Sequence, residues 1–164
     1  MDKETIKYYE MSAQSYLDKV CNINPDSDLL SFIKSIKLFI KLANEIFNVQ
    51  AVKADFNELS DINLYDGVWA NFSLLHAPRS EMLPNLIRIH KALKKKGYLH
   101  LGLKIGHGEK RDTLGRKYTY YQPEEINSLL ISAGFTINTQ RLDMDGTVSM
   151  TGAIEPFMIV TAYA

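Results

Sequence analysis

The stretch YDGVWANFSLLHAP, Tyr65 to Pro78, passes from apolar residues into three polar ones, Asn71, Ser73 and His76, and stops at a proline. A buried strand with this ending presents an amide, a hydroxyl and an imidazole at its carboxyl end, groups that can hydrogen-bond a ligand. His76 has two readings: a catalytic base beside an acceptor site, or a histidine satisfying a structural hydrogen bond at the end of a buried strand. Asp55 closes an earlier alternating segment, NVQAVKAD, and adds a carboxylate. His100 and His107 lack carboxylate or cysteine partners at ligand spacing, so no metal site is expected, and His100 reads as one member of an alternating strand. Asp143, Asp145 and Gly146 resemble the start of a calcium loop, but no acid follows at the closing distance, and a hairpin turn is the better account. GHGEKRDTLG has glycines without the lysine and hydroxyl that end a phosphate loop. Trp69 and the aromatic residues of KYTYYQ read as packing first and ligand stacking second.

The elements that would position these groups follow from periodicity. Ile6, Tyr9, Ala13, Tyr16 and Val20 recur at helical steps, and NINPDSD breaks that helix, with Asp26 or Ser27 capping the next. A second helix takes Leu29 to Phe47, with Leu30, Ile33, Ile36, Phe39, Ile40 and Ala43 on one face. A short strand ends at Asp55, NELSDINL is a polar loop with room for a single turn, and Tyr65 to Ser73 is the next strand. Arg79 or Ser80 opens a helix that tolerates Pro84 in its first turn. KKKG ends it, with Gly97 at the left-handed cap position. YLHLGLKI is a third strand and GHGEKRDTLGRK a mobile loop. QPEEINSLLISAGF is a helix ending at Gly134, and Phe135 to Leu142 pairs with Ile154 to Tyr163 through the DMDGTVSMTG loop. Strands alternating with helices predict an open α/β sheet with a terminal antiparallel hairpin. Ligands bind such sheets outside the carboxyl ends of the strands, which places Asp55, Asn71, Ser73, His76 and the loop after Ile105 on one rim.

At 164 residues with 46% apolar content, the chain is expected to be one domain with its own core. Nineteen basic and nineteen acidic residues cancel, so no global field draws the protein to nucleic acid or a membrane surface. The single cysteine, Cys21, excludes an internal disulfide, and the charged start MDKETIKYYE is unlike a secretory signal, so a cytoplasmic location is expected. LSFIKSIKLFIKLA is broken by lysines and does not read as a membrane span. Lys104, Lys110, Arg111, Arg116 and Lys117 against Glu109 and Asp112 give one segment a local positive surplus, which reads either as a site for an anionic acceptor or nucleic acid, or as a solvated loop.

The order KADFNEL, YDGVWANFSLLHAPRSEM, IRIHKALKKKGYLHLGLKIGHGE and GRKYTYYQPEEINSLLISAGF resembles small class I S-adenosylmethionine-dependent methyltransferases. The resemblance runs from about Asn48 to Phe135, and YYEMSAQSYLD is similar to the lid helix that precedes the cofactor domain in that family. It implies a truncated Rossmann-like sheet in a single domain over residues 1–164, with a lid-like helix at 1–21, a fused helix at 29–47 and the C-terminal part of the sheet from 48 to 164. It implies S-adenosylmethionine as cofactor, with Asp55 beside the adenine amine, Phe56 on the adenine ring, and Asn71 to His76, including Ser73, beneath the methionine part. Tyr9 and Tyr16 would close over the site, and HGEKRDTLGRKYTYY would cover the acceptor, a small molecule.

One part of the family pattern is missing. Its cofactor is cradled by a glycine-rich turn, where only glycine lets the backbone come close and take positive φ. The first glycine here is Gly67. DLLSFIKSIK is similar to the family's helix ahead of the first strand and LFIKLANEIFN to its helix after the second, so roughly thirty or more residues would be missing between Lys37 and Leu38. Removing the first strand exposes backbone edges that an intertwined homodimer exchanging elements would cover. Three functional readings follow: a methyltransferase homologue with an incomplete cofactor pocket, inactive as the isolated chain; a working small-molecule methyltransferase whose pocket is rebuilt within a homodimer; or an internal-deletion form of a complete enzyme.

Overall fold

The computed structural model describes residues 4, 5, 7, 8, 52, 54–149 and 151–164. The expected helices at 1–21 and 29–47, the seam between Lys37 and Leu38, Tyr9, Tyr16 and Cys21 therefore lie outside the described residues, apart from four positions at the start. Val52, Ala54 and Asp55 belong to no strand, contrary to the strand expected there, and Phe56–Glu58 form a single 3-10 turn.

The main sheet has four strands: β1 (Tyr65–Asn71), β2 (Leu93–Lys104), β5 (Thr136–Val148) and β6 (Ile154–Tyr163), in the order β1-β2-β6-β5. β1 and β2 are parallel, joined by helix α1 (Met82–Ala92), and the β5–β6 hairpin folds back so that β6 lies antiparallel against β2. Helix α2 (Pro123–Ser132) precedes β5. Leu99, Leu101 and Leu103 alternate along β2 onto one face and are fully buried, with Leu86 and Ile89 of α1, Ile126 and Leu130 of α2, and Met158, Val160 and Ala162 of β6. Each such leucine contributes about 2 kcal/mol of burial, and the period-two pattern fixes the register because a one-residue slip would expose all three. The opposite face carries Trp69, Tyr98 and Tyr163, each more than a third exposed.

Four local expectations are corrected. α1 ends at Ala92, four residues before its expected stop, because buried Leu93 already pairs with Tyr65 as the first residue of β2. The left-handed residue is Lys96 (φ 64°), and Gly97 is instead required for space, since a Cβ there would lie 2.8 Å from the Lys94 carbonyl oxygen. DMDG does not turn the final hairpin: β5 continues to Val148 with an irregularity between Asp143 and Thr147, and Gly146 (φ 71°) donates its N–H to Asp143 Oδ1 at 2.9 Å. The segment expected to be a loop without strands contains a short hairpin of β3 (Glu109–Arg111) and β4 (Lys117–Thr119). α2 matches expectation, with Gln122 and Glu125 as a capping box, Pro123 in its first turn and Gly134 (φ 100°) after its end.

Candidate functional site

β1 stops at Asn71 because Phe72 takes a left-handed conformation (φ 50°), a choice costing about 1 kcal/mol or more for a residue with a side chain. Its N–H still donates to the Gly102 carbonyl at 3.0 Å, and its ring meets Phe157 edge-on at 5.7 Å. This kink sends Asn71 and Ser73 in different directions. Asn71 Oδ1 lies 3.3 Å from His100 Nε2 and fills the space a Cβ on Gly102 would need, so Gly102 and Asn71 form one packed unit. Ser73 leads into the buried 3-10 turn Leu74–His76 and lines a cleft of about 340 Å³.

That cleft runs along the outer side of β1, touching Gly67, Val68, Trp69 and Ala70 in succession, and it also takes in Asp55 and Phe56. Among the described residues, β1 has no strand partner on this side. Glu58 and Asp61 add carboxylates and Tyr65 a phenol, and among the described residues no lysine or arginine lines the cleft. Asp55 and Glu58 cap one turn reciprocally, the Asp55 N–H donating to Glu58 Oε2 at 2.6 Å. The Tyr65 hydroxyl donates to Asp61 Oδ2 at 2.8 Å, a bond that raises the Tyr65 pKa. Trp69 stacks on His100 with ring centroids 3.5 Å apart and planes 10° from parallel. The chemistry of this lining suits an aromatic ligand that donates hydrogen bonds or carries positive charge.

His76 lies elsewhere. Its ring is buried against Tyr118, and Nδ1 is 2.6 Å from the Lys117 carbonyl oxygen, which makes Nδ1–H the donor. Burial is the main reason its pKa falls to about 4; the Lys117 carbonyl opposes the shift, and Arg116 and Lys104 reinforce it. The imidazole is therefore neutral at pH 7 and ties the end of β1 to β4.

The hairpin beside it is saturated with polar contacts. Asp112 accepts from the N–H groups of Leu114 (3.0 Å) and Arg116 (2.9 Å) and from the Arg116 guanidinium (2.6 and 2.8 Å), which is 3% exposed. Glu109 accepts from Lys117 Nζ at 2.7 Å and from the Arg79 N–H at 2.7 Å, contacts that hold its pKa down. Lys104 and Lys110 pair with Glu155, and Arg111 pairs with Glu4. Every cation in the segment's positive surplus thus has a carboxylate partner.

The structure brings Asp55, Phe56 and Ser73 into one cleft and places Asn71 and His76 outside its lining. Sequence reasoning missed Glu58, Asp61 and Tyr65. The available signal was the acidic spacing of NELSDINLY, which reads as an ordinary polar loop. Trp69 lines the cleft through its place on the strand edge. Among the described residues, no group of three or more His, Cys, Asp or Glu is arranged to hold a metal ion, and no helix is long and apolar enough to cross a membrane.

No family model matches the chain, and no curated relative does. Solved structures do. The 1,6-didemethyltoxoflavin-N1-methyltransferase of Burkholderia thailandensis, determined with 1,6-didemethyltoxoflavin and S-adenosylhomocysteine, superposes with a TM-score of 0.60 at 21% identity over 79% of this chain. This chain spans only 57% of that protein's length. A SAM-dependent methyltransferase of Methanosarcina mazei gives 0.65 at 17% identity, covering 82% of this chain and 84% of its own. The cyclase SpnF gives 0.56 at 19%, covering 93% and 70%. The chain has the fold of class I S-adenosylmethionine-dependent methyltransferases.

Proposed function

We propose that the chain is an S-adenosylmethionine-dependent methyltransferase homologue with an incomplete cofactor pocket, inactive as the isolated chain. The observation that carries this reading is the cleft itself. It joins the two residues expected at the adenine, Asp55 and Phe56, and one expected beneath the methionine part, Ser73, to the side of β1 that has no strand partner among the described residues. When bound, the cofactor supplies an electrophilic methyl group on a sulfonium. Asp55 would accept from the adenine amine, Phe56 would cover the ring, and the carboxylates of Glu58 and Asp61 would favour the cofactor's cationic side. With no glycine before Gly67, the chain supplies no glycine-rich turn ahead of β1 to hold the rest of the cofactor. Fold kinship does not confer activity, as the cyclase with this fold illustrates.

The same cleft favours one alternative, a working enzyme whose pocket is completed by a homodimer. A strand edge with no partner among the described residues is a place for a strand from a second copy. A methyl-transfer assay against mixed small acceptors, run with an Asp55→Ala control and a mass measurement in solution, separates the two. No turnover from a monomer is the expected result. Turnover by a dimer that is lost in Asp55→Ala would overturn the first reading in favour of the second.

A further inference from the structure

A second concave site lies at the start of β2, where α1 ends. It is a groove of about 520 Å³ with Leu93, Ile62 and Ala164 along its apolar floor and His90, Lys91, Lys94 and Lys95 around it. Its walls are held by backbone bonds: the N–H groups of Asn63 and Leu64 donate to the Lys91 and Ala92 carbonyls (2.9 Å each), and that of Lys96 donates to the Ala164 carbonyl (2.8 Å). Two of the three non-glycine residues with positive φ sit here, Asn63 (49°) and Lys96 (64°). A lysine at a left-handed position costs stability that a glycine would not.

Among the described residues the charge at this groove is only partly compensated. Lys94 pairs with exposed Asp66 at 2.8 Å, but Lys91, Lys95 and Lys96 are exposed and form no ion pair among them. Beside them Ile62 is 72% and Leu64 53% exposed. Basic rim and apolar floor together define the occupant. Lysines could meet nucleic-acid phosphates, but the single ring among the described lining residues on which a base could stack, His90, already packs edge-on against Phe135 at 4.9 Å, and an apolar floor offers phosphates nothing. A flat bilayer would touch the rim and leave the floor empty.

We propose that this groove docks an acidic polypeptide segment of a partner protein, with an apolar side chain on the floor between Ile62 and Leu93 and carboxylates against Lys91 and Lys95. The site is independent of the cofactor cleft and of any methyl transfer. The test is fluorescence anisotropy of the full chain with a labelled polyglutamate peptide bearing one central leucine. Oligothymidylate and phosphatidylserine vesicles serve as competing probes. Saturable peptide binding is expected, weakened about tenfold by Lys91→Glu with Lys95→Glu and by added salt. It should weaken further when the leucine becomes glutamine. Lys110→Glu, a charge reversal elsewhere on the surface, should leave binding unchanged. The proposal is overturned if the peptide does not bind, if Lys110→Glu weakens binding as much as the groove variants, or if the oligonucleotide or vesicles bind more tightly than the peptide.

Discussion

The two sides of the rim at the end of β1 are built on opposite plans. On the hairpin side, around His76, Asp112 and Arg116, buried polar groups meet matched partners and charge is cancelled locally. On the cleft side, around Asp55, Phe56 and Trp69, carboxylates gather with no lysine or arginine among the described lining residues, and aromatic surface borders the cleft. A satisfied network rigidifies a structure, whereas a concave surface with aromatic and polar lining is what a ligand can use. On the proposed reading the hairpin side is the brace and the cleft side the binding surface, with His76 part of the brace. Substitutions should therefore damage stability on one side and affinity on the other.

The largest effect is expected from Asp112→Ala. It strips the carboxylate from a buried guanidinium and should cost about 3–5 kcal/mol in urea unfolding, while Asp55→Ala should cost about 1 kcal/mol. Similar losses at both positions would erase the contrast.

Next comes pH. The His76 pKa is lowered from 6.5 to about 4, so between those values the unfolded chain binds a proton that the folded chain does not. His76 therefore contributes stability that is complete above pH 6.5 and is lost as pH falls toward 4, about 3 kcal/mol in all. His76→Asn keeps an N–H donor for the Lys117 carbonyl without the titration and should flatten that part of the unfolding profile.

Gly102→Ala should cost about 2 kcal/mol by displacing Asn71. Because Asn71 lies outside the cleft lining, adenosine affinity should change less than stability, as a ratio of titrations on wild type and variant would show. Trp69→Ala should weaken adenosine binding about tenfold, with little change in thermal midpoint because Trp69 is 41% exposed.

Much of this architecture was legible in the sequence because the signals were local. Pro123 with two acids and Gly134 marked α2, and the alternation around Leu99, Leu101 and Leu103 marked β2. What was not legible depended on contacts distant in sequence. The lysines and arginines between 104 and 117 read as a positive surplus because one partner, Glu155, lies on β6 and another, Glu4, near the start of the chain. Of the lysines of KALKKK, Lys94 pairs with Asp66, and Lys91, Lys95 and Lys96 form no ion pair among the described residues. Likewise the cleft lining combined Asp55 and Ser73, which the strand ends suggested, with Asp61 and Trp69, whose roles come from the open edge of β1.

The central claim is that the cleft beside β1 retains the adenosyl end of the cofactor site. Calorimetric titration of the purified chain with S-adenosylmethionine, competed by S-adenosylhomocysteine and repeated on Asp55→Ala, tests it most directly. The expected result is weak, saturable binding that the competitor displaces and that Asp55→Ala diminishes. No heat at any attainable ligand concentration, or binding indifferent to Asp55, would contradict it.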